Sequence, residues 1–444
     1  VSPRLHPAST LTHARDMQQR QILRASGTVG GFTALSRILG FARDVAMAAA
    51  FGTSVWMSSF VVAFTLPNLF RRLFGEGALS AALVPVFVET RRVEGPEAAW
   101  KLARRIAALV AALLAAIAAA GILLATLGLQ VADVGDRWTL ILELARIMLP
   151  YMVFICLAAL SMAVLNALRH FAVPAATPCL LNLVWLAAVL GICPLLPDDR
   201  ARIFAVAWAV LAAGVLQLAA QLPILYRRGF RFRFEVAPRD PRVRRVVALA
   251  APAALGLAVT QLNVVIDRLL AAWIGDWAPA SLYFSERLIY LPLGIFATAL
   301  GTVLLPVLSG HAAERDDESA RSTVDRSLRH LAFLMLPAAA GLFVLAEPVV
   351  RTCFQLGSFQ SSSVSTTSLA LACYAPGLLV FSIPKVLVPA FYARQDTRTP
   401  VRLSILCVAL NLALNLTLVL LLPLPVKHAG LAAATVLSEA VYAV

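Results

Sequence analysis

The chain has 444 residues, of which 60% are hydrophobic and 14% are charged, and its formal net charge is +14. With a mean hydropathy of +0.82, this composition excludes an ordinary soluble domain and indicates a protein that crosses a membrane many times. The positive charge does not call for a nucleic-acid partner, because basic residues are common in the cytoplasmic loops of membrane proteins.

Apolar runs between charged or Pro/Gly-rich breaks predict membrane helices, since about 20 apolar residues cross a bilayer. The twelve predicted segments are 28–50, 56–90, 102–128, 138–168, 173–196, 203–226, 245–273, 279–310, 328–346, 364–392, 400–423 and 429–444. The last apolar run continues to Val444, from which we expect a chain truncated at its C-terminus. The predicted fold class is an all-α polytopic membrane protein.

The distribution of Lys and Arg among the loops predicts the orientation. With the N-terminus placed in the cytoplasm, 25 basic residues lie on the cytoplasmic side and five on the opposite side. Because basic residues accumulate in cytoplasmic loops, we expect the N-terminus to be cytoplasmic.

An internal repeat predicts the domain organisation. Residues 78–87 (ALSAALVPVF) and 299–308 (ALGTVLLPVL) share five identities in ten at an offset of 221, and residues 168–174 resemble 393–400 at nearly the same offset. A duplicated six-helix unit predicts two pseudo-symmetric lobes around a central cavity, related by an axis along the membrane normal. The predicted parts are a cytoplasmic N-terminal segment (1–27), an N-lobe (28–226), a basic cytoplasmic linker (227–245) and a C-lobe (246–444).

The linker alternates Arg with Phe in the stretch RRGFRFRFEVAPRDPRVRR. Such a pattern is compatible with RNA binding or with a segment that lies on anionic lipid. We favour the lipid surface, since the linker joins two membrane lobes.

Basic side chains inside the apolar segments are the main functional signal. A mid-membrane arginine costs about 2.5–3.5 kcal/mol or more unless it faces protein, water or an anion. The planar guanidinium forms paired bonds with phosphate, so a cluster of arginines predicts a ligand with a phosphate or carboxylate head. A structural network of Arg–acid pairs is the alternative. The eight residues are Arg37, Arg43, Arg71, Arg72, Arg146, Arg268, Arg287 and Lys385.

Helical geometry distributes these groups over several faces. Arg37 and Asp44 share one face of the first helix, whereas Arg43 points about 120° away from Arg37. In the second helix, Arg71 is expected to line the cavity, and Arg72 either lines it or extends to the helix end.

The second lobe carries acids beside its arginines. An intramembrane carboxylate at Asp267 either holds a cation or a proton, or neutralises an arginine, and we favour neutralisation. Asn411 and Asn415 share a helix face, which is also typical of helix packing.

No enzyme chemistry is evident in the sequence. The six cysteines lack metal-ligand spacing and are interpreted as small core residues. The six histidines lie in termini, loops or helix ends, and no acid cluster provides a metal site or general base.

Several motifs resemble the MurJ (MviN) family of peptidoglycan lipid II flippases, which belongs to the multidrug/oligosaccharidyl-lipid/polysaccharide exporter superfamily. They are LSRILGFARD (35–44), FVVAFTLPNLFRRLFGEGALSAALVPVF (60–87), YFSERLIYLPLGI (283–295), FQLGSF (354–359) and FYARQDTRTP (391–400). The resemblance implies a transporter, not an enzyme, in the bacterial inner membrane. It would flip lipid II from the cytoplasmic to the outer leaflet by alternating access. The family normally has fourteen helices, so two would be missing here.

The resemblance also implies residue roles. A group in the cavity would hold the pyrophosphate of lipid II: Arg37, Arg43, Asp44, Arg71, Glu286 and Arg287. Sodium-dependent members place polar groups at positions that match Asp267, Asn411, Asn415 and Thr435, so Na⁺ is a candidate coupling ion and no other cofactor is expected. Members often carry an acid where this chain has Ser58.

The implied partners are lipid II, membrane lipids and the cell-wall synthesis machinery. An exporter of another polyprenyl-linked saccharide or of a drug is the nearest alternative, although a pocket for cationic drugs would favour carboxylates over arginines. A membrane-bound transferase would need the acid cluster that the sequence lacks. A scaffold protein in cell-wall assembly would tolerate loss of the cavity charge.

Overall fold

The computed structural model describes residues 7–75, 78–131, 135–396 and 398–443, and these form helices and short connections without a β-strand. The helices of the first half are α1 (Pro7–Phe51), α2 (Val55–Phe70), α3 (Ala78–Val93), α4 (Pro96–Val131), α5 (Gly135–Met148), α6 (Tyr151–Ala167), α7 (Ala172–Ala187), α8 (Asp199–Ala219) and α9 (Leu222–Arg227). Those of the second half are α10 (Pro241–Ile274), α11 (Ala278–Pro292), α12 (Thr298–Glu314), α13 (Asp317–Val344), α14 (Ala346–Phe354), α15 (Ser361–Tyr374), α16 (Gly377–Ala393), α17 (Arg398–Leu421) and α18 (Lys427–Glu439).

The predicted all-α membrane fold is confirmed. Within the described ranges, nine helical stretches are long and apolar enough to cross a membrane, and the bent pair α15–α16 makes a tenth. The other two predicted segments also fall on helices. One is α1, whose apolar stretch carries several charges, and the other is α18, which has only 13 residues. The short helix α14 was not predicted.

Three π-helical segments interrupt the long spans, at Arg71–Gly75, Ala188–Ile192 and Leu293–Ala297. Two of them occupy matching places in the repeat: Arg71 and Leu293 are 222 residues apart, and each π segment leads into one copy of the repeated decapeptide. Such segments occur often at functional sites. Their matching places support the predicted duplication, while the symmetry of the two lobes stays a prediction.

The two halves meet along several helices. α10 packs against α2 and α3, and α11 packs against α2. We call the end of the bundle with Gly52 and Gly357 the Gly52 end. The opposite end, with Arg169 and Arg394, is the Arg394 end.

The connection between α9 and α10 is extended and anchored to α4. The Phe230 ring packs edge-on against Trp100 with centroids 5.7 Å apart, and Arg105 bonds with both Glu235 and Asp240. The Arg105 hydrogen bond lowers the pKa of the Glu235 carboxyl. Between these anchors, the side chain of Phe232 is 67% exposed. Binding of this linker to lipid stays a prediction.

Candidate functional site

A cavity of about 670 Å³ lies between the two halves. Side chains from α1, α2, α7, α10, α11, α15, α16, α17 and α18 and from two of the π segments line it. Its basic groups outnumber its acidic groups by six to three, so the wall is cationic when all are ionised. The charged lining residues are Arg43, Arg71, Arg72, Arg268, Arg287 and Lys385, together with Asp267, Glu286 and Glu439.

One buried carboxylate connects the two halves at the cavity wall. Asp44 Oδ1 accepts bonds from Arg43 Nη2 at 2.7 Å and from the Tyr283 hydroxyl at 2.8 Å. Its Oδ2 lies 3.4 Å from Arg287 Nε. Asp44 is 3% exposed, and Arg43 is 9% exposed. A single acid therefore balances two arginines, one from α1 and one from α11.

Helix α7 and the ring of Tyr283 hold the guanidinium groups in place. Arg43 Nη1 donates to Asn182 Oδ1 at 3.0 Å, and its Cζ lies 4.5 Å above the Trp185 ring. The Cζ of Arg287 lies 4.4 Å above the Tyr283 ring. Such cation–π contacts favour a fixed, desolvated guanidinium. Both guanidinium groups are thus held in place by neighbouring side chains of the two halves.

The π segment after α2 contributes two further arginines. Arg71 Nε donates to Asn68 Oδ1 at 2.9 Å. Arg72 Nη1 donates to Gln261 Oε1 of α10 at 3.3 Å, so this side chain reaches the cavity and not the helix end.

The acid beside Arg287 serves a different arginine. Glu286 Oε2 accepts from Arg268 Nη2 at 2.5 Å, and its Oε1 accepts from the Tyr374 hydroxyl at 3.3 Å. The favoured interpretation of Asp267, that it neutralises an arginine, is therefore wrong for the described residues. Glu286 of α11 pairs with Arg268, whereas Asp267 accepts a bond from Asn415.

The four residues considered for sodium lie together. Asn415 Nδ2 is 2.6 Å from Asp267 Oδ1 and 2.6 Å from Asn411 Oδ1. Asn411 Nδ2 lies 3.4 Å from Thr435 Oγ1. Asn411 and Asn415 are fully buried, and Asn415 Oδ1 has no hydrogen-bond partner among the described residues. The group connects α10, α17 and α18.

Arg37 lies apart from this cluster. It is exposed, and it does not line the cavity with Arg43. Its guanidinium lies against the second half, where a Cβ added at Gly294 would be 2.8 Å from Arg37 Nη1. Asp44, expected on the face of Arg37, instead pairs with Arg43, because a long arginine side chain bridges the 100° between adjacent helical positions.

Two glycines close the bundle at the Gly52 end. Ser358 N donates to Ala49 O at 2.8 Å. A Cβ at Gly52 would lie 2.4 Å from Ser358 O, and a Cβ at Gly357 would lie 2.4 Å from Ala49 O. Both glycines have a positive φ, +56° and +53°. Only glycine allows this backbone contact without strain. We call the contact the glycine clasp.

The phenylalanines that flank Gly357 extend the clasp toward the charged cluster. Phe354 and Phe359 are buried, and both pack on Phe284, with ring centroids 5.1 and 5.4 Å away. Phe354 also packs on Phe41 at 6.1 Å. Since Phe284 follows Tyr283 and Phe41 lies two residues before Arg43, the clasp and the charged cluster share two helices.

A family model described as "Lipid II flippase MurJ" matches residues 47–444. The chain belongs to the MurJ family. A relative from Burkholderia cenocepacia, named "Lipid II flippase MurJ", is 37% identical over 393 residues, which cover 86% of this chain and 76% of the relative. The Rhizobium tropici relative, named "Probable lipid II flippase MurJ", is 36% identical over 401 residues, which cover 87% of this chain and 74% of the relative.

Solved structures show the same fold. A structure titled "Lipid II flippase MurJ, inward closed conformation" superposes with a TM-score of 0.78 at 24% identity, covering 93% of this chain and 85% of that one. An inward-facing multidrug resistance MATE family transporter of the MOP superfamily superposes with a TM-score of 0.77 at 14% identity, covering 92% of each chain. The predicted family resemblance is confirmed.

Ser58, where the family resemblance predicts an acid, has a local structural role. It is 2% exposed, and its Oγ accepts from Ala280 N of α11 at 3.3 Å. Near the glycine clasp, the Thr53 and Ser363 hydroxyls also lie 2.8 Å apart. At the Gly52 end, neutral side chains therefore join the halves alongside the ion pair between Arg137 and Asp276.

Sequence reasoning missed several partners of the charged residues. Asn182 and Trp185 lie one turn apart in the apolar helix α7. A polar and an aromatic residue at this spacing could have indicated contacts with Arg43. Tyr374 had no comparable signal, because its contact with Glu286 joins residues 88 apart in the chain.

Proposed function

We propose that this chain flips lipid II from the cytoplasmic to the outer leaflet of the inner membrane by alternating access. The observation that carries the proposal is the arginine cluster in the wall of an intramembrane cavity, in a family whose members are named for this activity. The lipid tail stays in the bilayer while the polar head group occupies the cavity.

The arginines hold the pyrophosphate. Arg43 and Arg287 face each other around Asp44, and Arg71 lines the same cavity. Guanidinium groups remain charged in a dry site and bind phosphate oxygens in pairs. Incoming pyrophosphate competes with Asp44 for Arg287, which loosens the contact between α1 and α11. Ligand binding and the joining of the two halves are thereby linked.

The cavity faces the cytoplasm in this conformation, with the N-terminus inside. Two observations support this arrangement. The glycine clasp seals the Gly52 end, and the lining residues of α18 (Thr435, Ser438 and Glu439) come from the half of that helix remote from it. Most loop arginines occur at the Arg394 end, as expected for a cytoplasmic face. Outward opening then requires the clasp to part.

Net transport requires an energy source, since differential binding alone only shifts populations. We propose Na⁺ as the coupling ion, held by Asp267, Asn411, Asn415 and Thr435. Asn415 Oδ1 has no hydrogen-bond partner among the described residues. If the Asn415 amide is rotated by 180°, this oxygen takes the place of Nδ2, beside Oδ1 of Asp267 and Oδ1 of Asn411. Converging oxygens repel one another unless a hard cation lies between them. The membrane potential adds about 2.3 kcal/mol per charge per 100 mV.

An exporter of a different polyprenyl-linked saccharide or of a drug is the second candidate, because the fold is shared with a multidrug transporter. The excess of arginine in the cavity opposes binding of a cationic drug, whereas any polyprenyl pyrophosphate would fit the cluster.

The test is complementation of cells depleted of their own lipid II flippase. We expect the wild-type chain to restore growth and lipid II export, and Arg43→Ala, Arg71→Ala or Arg287→Ala to abolish both at equal protein levels. Arg146→Ala is the matched control, an intramembrane arginine that does not line the cavity. Rescue by all three cavity variants would refute the proposal, and export of another polyprenyl-linked saccharide in place of lipid II by the wild type would favour the second candidate.

A further inference from the structure

Lys385 is a charged cavity residue outside the groups proposed to hold pyrophosphate and sodium. It lies at the centre of α16, its side chain is exposed, and it lines the cavity. No described carboxylate forms an ion pair with its ammonium within 4.0 Å. Ionisable residues within a membrane span are costly and mark substrate pathways. Lys385 therefore has the properties of a ligand contact.

The backbone at Lys385 is fixed by a close contact with α12. A Cβ added at Gly301 would lie 2.7 Å from Lys385 O and 3.6 Å from Lys385 Cβ. α16 and α12 thus touch through their backbones, which sets the level of Lys385 along the bundle.

That level is far from the contact between Asp44 and Arg287. Gly301 follows Arg287 by 14 residues on the helical path Ala278–Glu314. At 1.5 Å per residue, the separation along the axis is about 20 Å. A diphosphate is much shorter than this distance, so Lys385 contacts a different part of the ligand.

We propose that Lys385 binds a carboxylate of the ligand's peptide stem, an inference that rests on the proposed function. A five-residue peptide extends up to about 17 Å at 3.3–3.6 Å per residue, which is enough to carry a carboxylate from the sugar toward this level. An ammonium on a flexible stem suits a mobile carboxylate, because it is a point charge without the fixed fork of arginine.

The surroundings of Lys385 leave room for such a group. Glu439 also lines the cavity, and no ion pair within 4.0 Å joins it to Lys385. The hydroxyl-bearing residues Ser404 and Ser438 line the same region. This end of the cavity is therefore polar and close to neutral, in contrast with the arginine cluster.

The test measures binding of three ligands to the purified full chain in nanodiscs: native lipid II, lipid II with amidated peptide carboxylates, and undecaprenyl pyrophosphate. We expect Lys385→Met to weaken binding of native lipid II about tenfold and to leave the other two unchanged. Lys385→Arg restores most of the affinity. Lys427→Met, a lysine outside the cavity lining, is the matched control.

Two results would overturn the inference: unchanged binding of native lipid II by Lys385→Met, or equal weakening of native and amidated lipid II. The unchanged affinity for undecaprenyl pyrophosphate also shows that Lys385→Met folds. Arg287→Ala separates this inference from the proposed function, because it should weaken all three ligands. If it weakens none, the arginine cluster is refuted independently of Lys385.

Discussion

The Oδ2 atom of Asp44 in α1 lies 3.4 Å from Nε of Arg287 in α11. This contact joins the two halves of the bundle at the wall of the cavity. Since the same carboxylate also accepts from Arg43 and Tyr283, Asp44 acts as an internal anion. It occupies the arginines that we propose for pyrophosphate.

Removing this internal anion should strengthen ligand binding and slow transport. In Asp44→Asn, pyrophosphate no longer displaces a carboxylate from Arg43 and Arg287. We expect the affinity for undecaprenyl pyrophosphate to rise about tenfold, measured by equilibrium binding, while flipping slows because release is harder. Glu439→Gln, another cavity acid, should leave this affinity unchanged. Weaker binding by Asp44→Asn would mean that Asp44 supports the ligand directly.

The Tyr283 hydroxyl should contribute measurably to stability. Tyr283→Phe deletes a buried hydrogen bond to Asp44 but keeps the ring under Arg287. A bond to a charged group contributes about 1.5–3 kcal/mol, so the melting temperature in detergent should fall. The melting temperature of Tyr283→Ala should be lower still, because this change also removes the cation–π contact with Arg287. A melting temperature equal to that of wild type and of Tyr290→Phe would contradict the assigned bond.

The glycine clasp should control access from the Gly52 end. Gly52→Ala or Gly357→Ala places a Cβ against a backbone carbonyl and strains a left-handed backbone by about 1–2 kcal/mol. We expect a cysteine introduced at Asn68, in an otherwise cysteine-free chain, to react faster with an impermeant thiol reagent added from that side. Gly310→Ala is the control, because its added Cβ meets nothing within 4 Å. Equal labelling rates in all variants would exclude the clasp as a gate.

Sodium should stabilise the folded protein if the Asp267 group binds it. At tenfold the dissociation constant, a bound ion contributes about 1.4 kcal/mol. We expect a higher melting temperature in NaCl than in KCl at equal ionic strength, and no difference in Asp267→Asn. Asp276→Asn, an acid at the Gly52 end, should retain the sodium effect. Identical wild-type curves in both salts would remove Na⁺ from the mechanism.

Local pattern predicted the helices well, because a membrane span must be long, apolar and internally hydrogen bonded. The same physics makes intramembrane charges conspicuous, so the sequence predicts that Arg43, Arg71 and Arg287 line the cavity, where the structure places them. The grouping of Asp267 with Asn411, Asn415 and Thr435 came from the family resemblance, and the structure brings these residues together.

Side-chain contacts between helices that are far apart in the sequence could not be predicted from local sequence patterns. Asp44 and Tyr283 are 239 residues apart, so helical spacing could not relate them. Helical spacing predicts that Asp44 lies on the same face as Arg37. In the structure, the length of the arginine side chain and its packing pair Asp44 with Arg43. The clasp between Gly52 and Gly357 depends on positive φ values and close backbone approach, which a lone glycine in a sequence does not reveal.

The central claim is that cavity arginines hold the pyrophosphate of a lipid-linked precursor. Its most direct test is equilibrium binding of undecaprenyl pyrophosphate to the purified chain in nanodiscs. We predict that Arg287→Ala weakens binding at least about tenfold, that Arg287→Lys recovers only part of the loss, and that Arg146→Ala binds like wild type. Wild-type affinity in Arg287→Ala, with an unchanged melting temperature, would contradict the claim.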